Sequence, residues 1–397
     1  MVTRIYEQVL KEHFQHEKNM AFLAGPRQSG KTTTAMSFMP KQTLYWNWDD
    51  ADDRIFLRGS PARFLEATIK RNQHRNILVL DEIHKNPKWR NWLKGIYDKH
   101  HSHYRFIVTG SARLNVFNRG GDSLLGRYYL YRHHPLTLGE ISNHPFDDNL
   151  FRKAHKASQI WESLFKFGGF PRPFLSSRES SHRKWLRTRR ELLIREDLRD
   201  LSRIEDIAAI ELMVKLLASR ASGLLNYQNL ANDLNVSIDS VRRWIRFLEH
   251  LFYLYTLPPY QGSIKRSLRK MPKVYLWDWS EIENESARFE NIIASHLLKS
   301  VHYWTDIGQG EFDLFYIRDK QKREVDFLVT EGGRPFLLIE AKLTDQNISP
   351  TLQYYSLILK PKFSMQVVKN LKSQNVSIQE VRFNGIISAE DFCACLV

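Results

Sequence analysis

Gly25-Pro26-Arg27-Gln28-Ser29-Gly30-Lys31-Thr32 is the stretch whose reading decides the fold. It satisfies every fixed position of the pattern G-x-x-x-x-G-K-[ST]. The apolar run Met20-Ala21-Phe22-Leu23-Ala24 precedes it and reads as a strand, and a helical pattern follows. Glycines at these places let the backbone curl until its N–H groups share one focus, and the helix N-terminus adds partial positive charge there. Such a cradle suits the phosphates of ATP. The expected nucleotide-binding residues are Gly25, Pro26, Arg27, Gln28, Ser29, Gly30, Lys31, Thr32 and Thr33. Lys31 would reach the β- and γ-phosphates, and the Thr32 hydroxyl would ligate Mg2+.

Outward from the loop, Thr43-Leu44-Tyr45-Trp46-Asn47, Asn76-Ile77-Leu78-Val79-Leu80 and Arg105-Phe106-Ile107-Val108-Thr109 read as three more strands. Continuous apolar strands separated by helical stretches predict a parallel sheet covered on both faces, an α/β nucleotide-binding domain. Asp81-Glu82 ends the third strand. Asp81 is placed to hold Mg2+, and Glu82 to polarise the attacking water as general base; the alternative is a helix-capping acid. At the end of the fourth strand, Thr109 or Ser111 could orient that water, and Ser111 joins the nucleotide-binding set. Arg127, in Leu124-Leu125-Gly126-Arg127, is a candidate cation for charge building on the γ-phosphate, with a surface salt bridge as its alternative; Arg113 is a weaker candidate.

The chain has 397 residues, enough for two or three domains, and 42% hydrophobic residues, enough to build a core in each. Lys and Arg number 59 against 44 Asp and Glu, a net +15 that favours polyanionic partners unless the surface is merely basic. The two cysteines, Cys393 and Cys395, make neither a zinc set nor a disulfide framework. With no signal-peptide pattern and no bilayer-length apolar run, a cytoplasmic protein without a membrane segment is expected.

Beyond about residue 150 the pattern turns helical, including a Lys- and Arg-rich stretch from Ser181 to Asp200. Tyr227 to Leu251 has a helix-turn-helix rhythm, with Ser237 as N-cap of the second helix. That helix carries Arg242, Arg243 and Arg246, and the following hairpin carries Lys265, Arg266, Arg269, Lys270 and Lys273. A recognition helix with a basic wing can track the phosphates of nucleic acid, DNA before RNA; Trp244, Phe247 and Leu248 argue that the helix is also half core.

Glu290 lies in a helical stretch, Asp326 in Arg323 to Val329, and Glu340 with Lys342 in Phe336 to Lys342. The last two segments read as a hairpin turning through Glu331-Gly332-Gly333-Arg334-Pro335. Glu340 and Lys342, two apart on a strand, share a face that Asp326 can meet from the partner strand. Asp326 and Glu340 would bind Mg2+ while Lys342 orients water, which is metal-assisted phosphodiester hydrolysis. The alternative is a Glu340–Lys342 salt bridge on an ordinary strand pair. The set resembles the PD-(D/E)xK nuclease motif, with Glu290 matching its helix acid, Asp326, Glu340 and Lys342 its catalytic core, and Gln353 a polar residue of the next helix.

The phosphate loop, Leu44 to Arg54, Asp81-Glu82-Ile83-His84-Lys85, Val108 to Ser111, Leu125-Gly126-Arg127 and His134-Pro135-Leu136 together resemble the AAA+ family of archaeal and bacterial ATPases that carry a C-terminal domain of unknown function. The resemblance covers nearly the whole chain. It implies an AAA+ P-loop core, here over 1–150, a winged helix over 206–280 and a restriction-endonuclease-like domain over 281–397; 151–205 reads as a helical linker or lid region, in which the compact helical lid of standard AAA+ proteins is not identified. It also implies homo-oligomers. The expected function is ATP hydrolysis coupled to nucleic acid, with a Mg2+-dependent nuclease; the competing expectation is a nucleotide-controlled switch whose C-terminal module binds without chemistry.

Overall fold

The apolar runs that flank the glycine loop become the middle of a parallel sheet. The computed structural model describes residues 2–71, 75–110, 124–142, 149–151, 157–193, 207–261, 271–344 and 347–397. Five strands, β1 (Met20–Ala24), β2 (Thr43–Asn47), β3 (Ile77–Asp81), β4 (Arg105–Gly110) and β5 (Tyr128–Arg132), pair in the order β2-β3-β4-β1-β5, all parallel. Helices α1 (Ile5–His16), α2 (Lys31–Ser37), α3 (Ala51–Leu57), α4 (Pro61–Arg71) and α5 (Trp89–His100) accompany them. Every residue of β1 and β3 is buried, as strands covered on both faces must be. Aromatic packing fills one face: the Phe64 ring lies 5.0 Å from Trp46 and 4.9 Å from Trp92. β5 is the strand the sequence reading did not separate, since Tyr128-Tyr129-Leu130-Tyr131-Arg132 is only partly buried at the sheet edge.

The strand order has one consequence for chemistry. β4 lies between β1 and β3, so the glycine loop after β1 and the acids closing β3 open on the same sheet edge, with Thr109 and Gly110 between them.

The chain packs as two compact units, Met1–His134 and Pro135–Val397. Residues 135–142, grouped by sequence with the first 150, pack in the second unit. There α6 (Leu138–Ile141) is held by the Leu138 N–H donating to His296 Nε2 at 3.0 Å and by the buried Lys299–Glu140 ion pair. The second unit continues with α7 (Ser158–Phe167), α8 (Pro171–Ser176), α9 (Glu179–Leu192), α10 (Ile207–Ser219), α11 (Tyr227–Leu234) and α12 (Ile238–His250). α11 and α12 form the expected helix-turn-helix: Asn235 takes a left-handed conformation (φ 52°) between them, and Ser237 caps α12 by accepting from Ser240 N–H at 3.1 Å. An antiparallel pair follows, β6 (Leu254–Leu257) with β7 (Lys273–Leu276).

The last third begins with α13 (Glu285–Asp306) and builds a mixed sheet of β8 (Phe312–Arg318), β9 (Glu324–Glu331), β10 (Arg334–Lys342), β11 (Phe363–Val368) and β12 (Phe383–Ser388), ordered β12-β11-β10-β9-β8. β8, β9 and β10 pair antiparallel, while β11 and β12 run parallel to β10. Gly332 and Gly333 turn β9 into β10 with φ of 54° and 76°, the two positive values a tight hairpin turn needs. Helix α14 (Pro350–Leu359) links β10 to β11, and α15 (Ile378–Val381) and α16 (Ala389–Cys395) complete the chain.

One amide clamps α13 to the backbone of β7. Asn291, fully buried, accepts from Leu276 N–H at 2.8 Å and donates to Leu276 O at 2.8 Å. It sets the last residue of β7, and with it Tyr275 and Lys273, against the helix turn that carries Glu290. Asn291→Leu strands a buried N–H and a buried C=O, and should lower stability by about 2–4 kcal/mol. Urea denaturation of the full chain checks this; an unmoved midpoint contradicts the clamp.

Candidate functional site

At the end of β1 the chain must reverse tightly beside β5. A β-carbon on Gly25 would lie 2.0 Å from the His133 carbonyl oxygen, so only glycine fits. Lys31, the first residue of α2, is buried and folds back across the loop, its Nζ donating to Gly25 O at 3.0 Å and Pro26 O at 2.8 Å. Burial lowers its ammonium to about 8, against the pull of Glu82 and Asp81, which favour the charged form.

Asp81 gathers three hydroxyls. Thr32 Oγ1 and Tyr45 OH each donate to its Oδ2 at 2.8 Å, and Thr109 Oγ1 donates to its Oδ1. The expected partnership of Thr32 with Asp81 is thus present. Thr109 is spent on Asp81 rather than aimed at a water, and Ser111 and Arg113 lie outside the described residues. Glu82 stands at the N-cap of the one-turn 3-10 helix Ile83–Lys85, but its side chain makes no cap bond. It leaves β3 in the left-handed region (φ 56°), a strained conformation of the kind found at functional sites. Its Oε2 is buried without a hydrogen bond, with Lys85 Nζ and His84 Nε2 each 3.5 Å away. Burial raises the Glu82 carboxyl above its ordinary value, while Lys31 and Lys85 oppose the shift. A hydroxyl and a carboxylate are the hard oxygen donors that Mg2+ takes, and with the glycine cradle they fit a Mg-nucleotide.

Behind the loop stands a brace that sequence reasoning missed. Arg4 donates to Ser29 O at 2.5 Å and to His134 O at 2.6 Å. The His133 ring reaches Ser29 Oγ at 3.1 Å through Nδ1 and Thr34 Oγ1 at 3.2 Å through Nε2, and stacks on Tyr6 at 4.3 Å. Nothing in the spacing of Arg4, Tyr6 and His133 announces this, because the docking of α1 beside the end of β5 brings them together.

Arg127 requires a correction. Its backbone carbonyl accepts from Met20 N–H at 2.8 Å, which places it where β1 begins, whereas the glycine loop lies where β1 ends. Five residues of strand put roughly 16 Å between those ends, beyond an arginine's reach. The guanidinium binds Asp98 through two nitrogens at 2.6 and 3.1 Å. In its own chain Arg127 forms the salt bridge and does not meet the phosphates.

In the second unit, Glu290, Asp326, Glu340 and Lys342 do converge. The register Ile339↔Phe327 sets Asp326 across from Glu340, Ala341 N–H donates to Asp326 Oδ2 at 3.0 Å, and Lys342 Nζ meets Glu340 Oε1 at 2.8 Å. Burial first, and the Asp326 charge second, push Glu290 and Glu340 up to about 7. Gln353 lies exposed on α14. The centre of the cluster is taken by a residue the sequence assigned elsewhere. Lys273, expected on a basic wing, is buried, and its Nζ lies 2.7 Å from Glu324 Oε1, 2.9 Å from Glu290 Oε1 and 3.2 Å from Asp326 Oδ1. Tyr275 OH adds a 2.8 Å bond to Glu290. Among the described residues no three His, Cys, Asp or Glu side chains are arranged to hold a metal ion. The Mg2+ roles expected of Asp326 and Glu340 therefore do not fit this arrangement, in which each carboxylate is already paired with a lysine.

Arg242, Arg243 and Arg246 are all exposed on α12, while Val241, Trp244, Ile245 and Leu248 bury its other face. Lys265, Arg266 and Arg269, with Lys270, lie outside the described residues. The basic stretch of α9 is partly occupied: Arg189 and Arg190 each bind the buried Glu281 at 3.0 Å. Among the described residues no helix is long and apolar enough to cross a membrane.

Residues 17–142 match the family model of the AAA domain. Residues 158–280 and 285–389 match two further models, each described as a domain of unknown function (DUF8612 and DUF4143). An uncharacterized protein of Mycobacterium tuberculosis, Rv2008c, is 22% identical over 331 residues, 81% of this chain and 70% of that protein. One of Methanocaldococcus jannaschii, MJ1637, is 25% identical over 303 residues, 68% of this chain and 62% of that protein. Among solved structures, a single-substitution variant of RuvB from Thermotoga maritima is similar at 15% identity and TM-score 0.29, covering 64% of this chain and 88% of that one. AMPPCP-bound DnaA from Aquifex aeolicus is similar at 13% and 0.33, covering 62% and 88%. Residues 17–142 form an AAA-type P-loop domain.

The lowered Lys31 sets a pH dependence. A phosphate stabilises the ammonium, so binding draws on the protonated lysine, which is depleted as pH rises through about 8. The Kd of a non-hydrolysable ATP analogue should be flat near pH 7 and rise toward about tenfold per pH unit above 8. Calorimetric titration from pH 7 to 9.5 checks this, and a constant Kd contradicts it.

Proposed function

We propose that the chain binds and hydrolyses Mg-ATP in its first unit, and that this turnover controls a second unit acting on or near nucleic acid as a binding module. The observation that carries the ATPase half is the meeting of Lys31, Thr32, Asp81 and Glu82 at one sheet edge. Lys31 exchanges the Gly25 and Pro26 carbonyls for phosphate oxygens. Thr32 and Asp81 hold Mg2+, which when bound neutralises charge on the phosphate oxygens. Tyr45 and Thr109 fix the Asp81 carboxylate. Glu82 takes the proton of the attacking water, a task suited to a carboxyl that burial raises above its ordinary value.

For nucleic acid the support is the net charge of +15 and the three exposed arginines on the second helix of the helix-turn-helix. A second reading, phosphodiester cleavage in the second unit, is favoured by the convergence of Glu290, Asp326, Glu340 and Lys342 on a mixed sheet, and opposed by Lys273 among them.

Lys31→Ala should abolish nucleotide binding, whereas Glu82→Gln should leave the Kd for ATP within about twofold and cut turnover by about 100-fold or more. Unchanged turnover in the second variant removes Glu82 from the base role. Replacing Arg242 and Arg243 by alanine should weaken DNA binding at every sequence tested and reduce the slope of log K against log salt by about 1–2. An unchanged slope takes α12 off the interface.

A further inference from the structure

The carboxylates of the second unit are distributed over three elements, Glu290 on α13, Glu324 and Asp326 on β9, and Glu340 on β10. One ammonium has three hydrogens to donate, and Lys273 stands 2.7 to 3.2 Å from an oxygen of Glu324, Glu290 and Asp326. Of the other carboxylate oxygens, Asp326 Oδ2 takes the Ala341 N–H, Glu340 Oε1 takes Lys342, and Glu324 Oε2 takes Arg318 at 2.5 Å. Lys273 does not reach in from solvent. Its side chain is 4% exposed, and it leaves a strand whose next residues pack through Tyr275 and the Asn291 clamp. Glu340 Oε2 is buried without a hydrogen bond, its partner oxygen Oε1 holding Lys342.

A divalent ion shared by Asp326 and Glu340 would displace this lysine or sit against it. Mg2+ and Mn2+ need several oxygens close around them, and Asp326 Oδ1 is within bonding distance of an ammonium. We infer that Lys273 is the built-in counter-ion of the Glu290–Glu324–Asp326 cluster, taking the position a divalent metal would occupy and keeping the second unit metal-free. The inference rests on the binding-module reading above and sharpens it: in this arrangement Lys273 decides that the unit binds without cutting.

The test is Mn2+ binding to the full-length, nucleotide-free chain, read by electron paramagnetic resonance and by the thermal midpoint. The wild-type chain should show no Mn2+ site that Asp326→Asn removes, and no Mn2+-dependent cleavage of DNA or RNA. Lys273→Met should gain one Mn2+ site, tighter than any in the wild type by about tenfold or more, and lose it again on adding Asp326→Asn. Its thermal midpoint should rise with Mn2+ while that of the wild type stays put. A wild-type Mn2+ site or cleavage activity that Asp326→Asn abolishes overturns the proposal, as does a folded Lys273→Met chain that takes up no Mn2+. The wild-type arm needs no destabilised variant. ATP turnover, followed in the same preparations, reports on the first unit separately, so failure of one reading is not mistaken for failure of the other.

Discussion

The Asp81 carboxylate accepts hydroxyl hydrogen bonds from Thr32 on α2, Tyr45 on β2 and Thr109 on β4, and so ties one helix and two strands to its own strand. An ionised carboxylate offers about four lone-pair positions and no hydrogen of its own. It can therefore join several donors without leaving one unmet, which a threonine or asparagine there could not do. Everything else in the first unit serves to bring those donors within reach. The parallel sheet supplies the shared edge, the glycine loop supplies the turn, and Arg4 with His133 braces the loop from behind. The strain in Glu82 is tolerated because the backbone on either side of it is held: before it the Trp48 N–H reaches Asp81 O and the Glu82 N–H reaches Thr109 O, and after it the Lys85 N–H reaches Glu82 O.

The second unit meets the opposite problem. It concentrates negative charge where β9, β10 and α13 approach, and buried carboxylates are costly unless paired. The solution is a lysine from another segment, anchored by a neighbouring amide. The energetics follow the rule for buried charge networks: removing one partner is expensive because the others are left uncompensated. Whether such a cluster serves structure or ligand binding turns on which cation it keeps.

The fold of the first unit was legible because its signals are local. The sequence strands Met20 to Ala24, Thr43 to Asn47 and Arg105 to Thr109 coincide with β1, β2 and most of β4, since fully buried parallel strands are continuous apolar runs. The glycine hairpin between β9 and β10 and the cap at Ser237 were legible for the same reason, each being a matter of a few consecutive residues. β5 escaped because an edge strand of tyrosines, only partly buried, carries no such run.

By itself the sequence determined the phosphate cradle, the acids that close β3, the period-two faces of β9 and β10 and the helix-turn-helix, all consequences of spacing along the chain. Only the tertiary structure decided which charges meet. It sent Arg127 to Asp98 at the far end of the sheet, brought Arg4 and His133 behind the glycine loop, and buried Lys273 among carboxylates 17 to 53 residues away. The reason is physical: periodicity encodes which face a side chain takes, but the partner of a buried charge is set by strand order and helix docking, where desolvation leaves no charge unpaired.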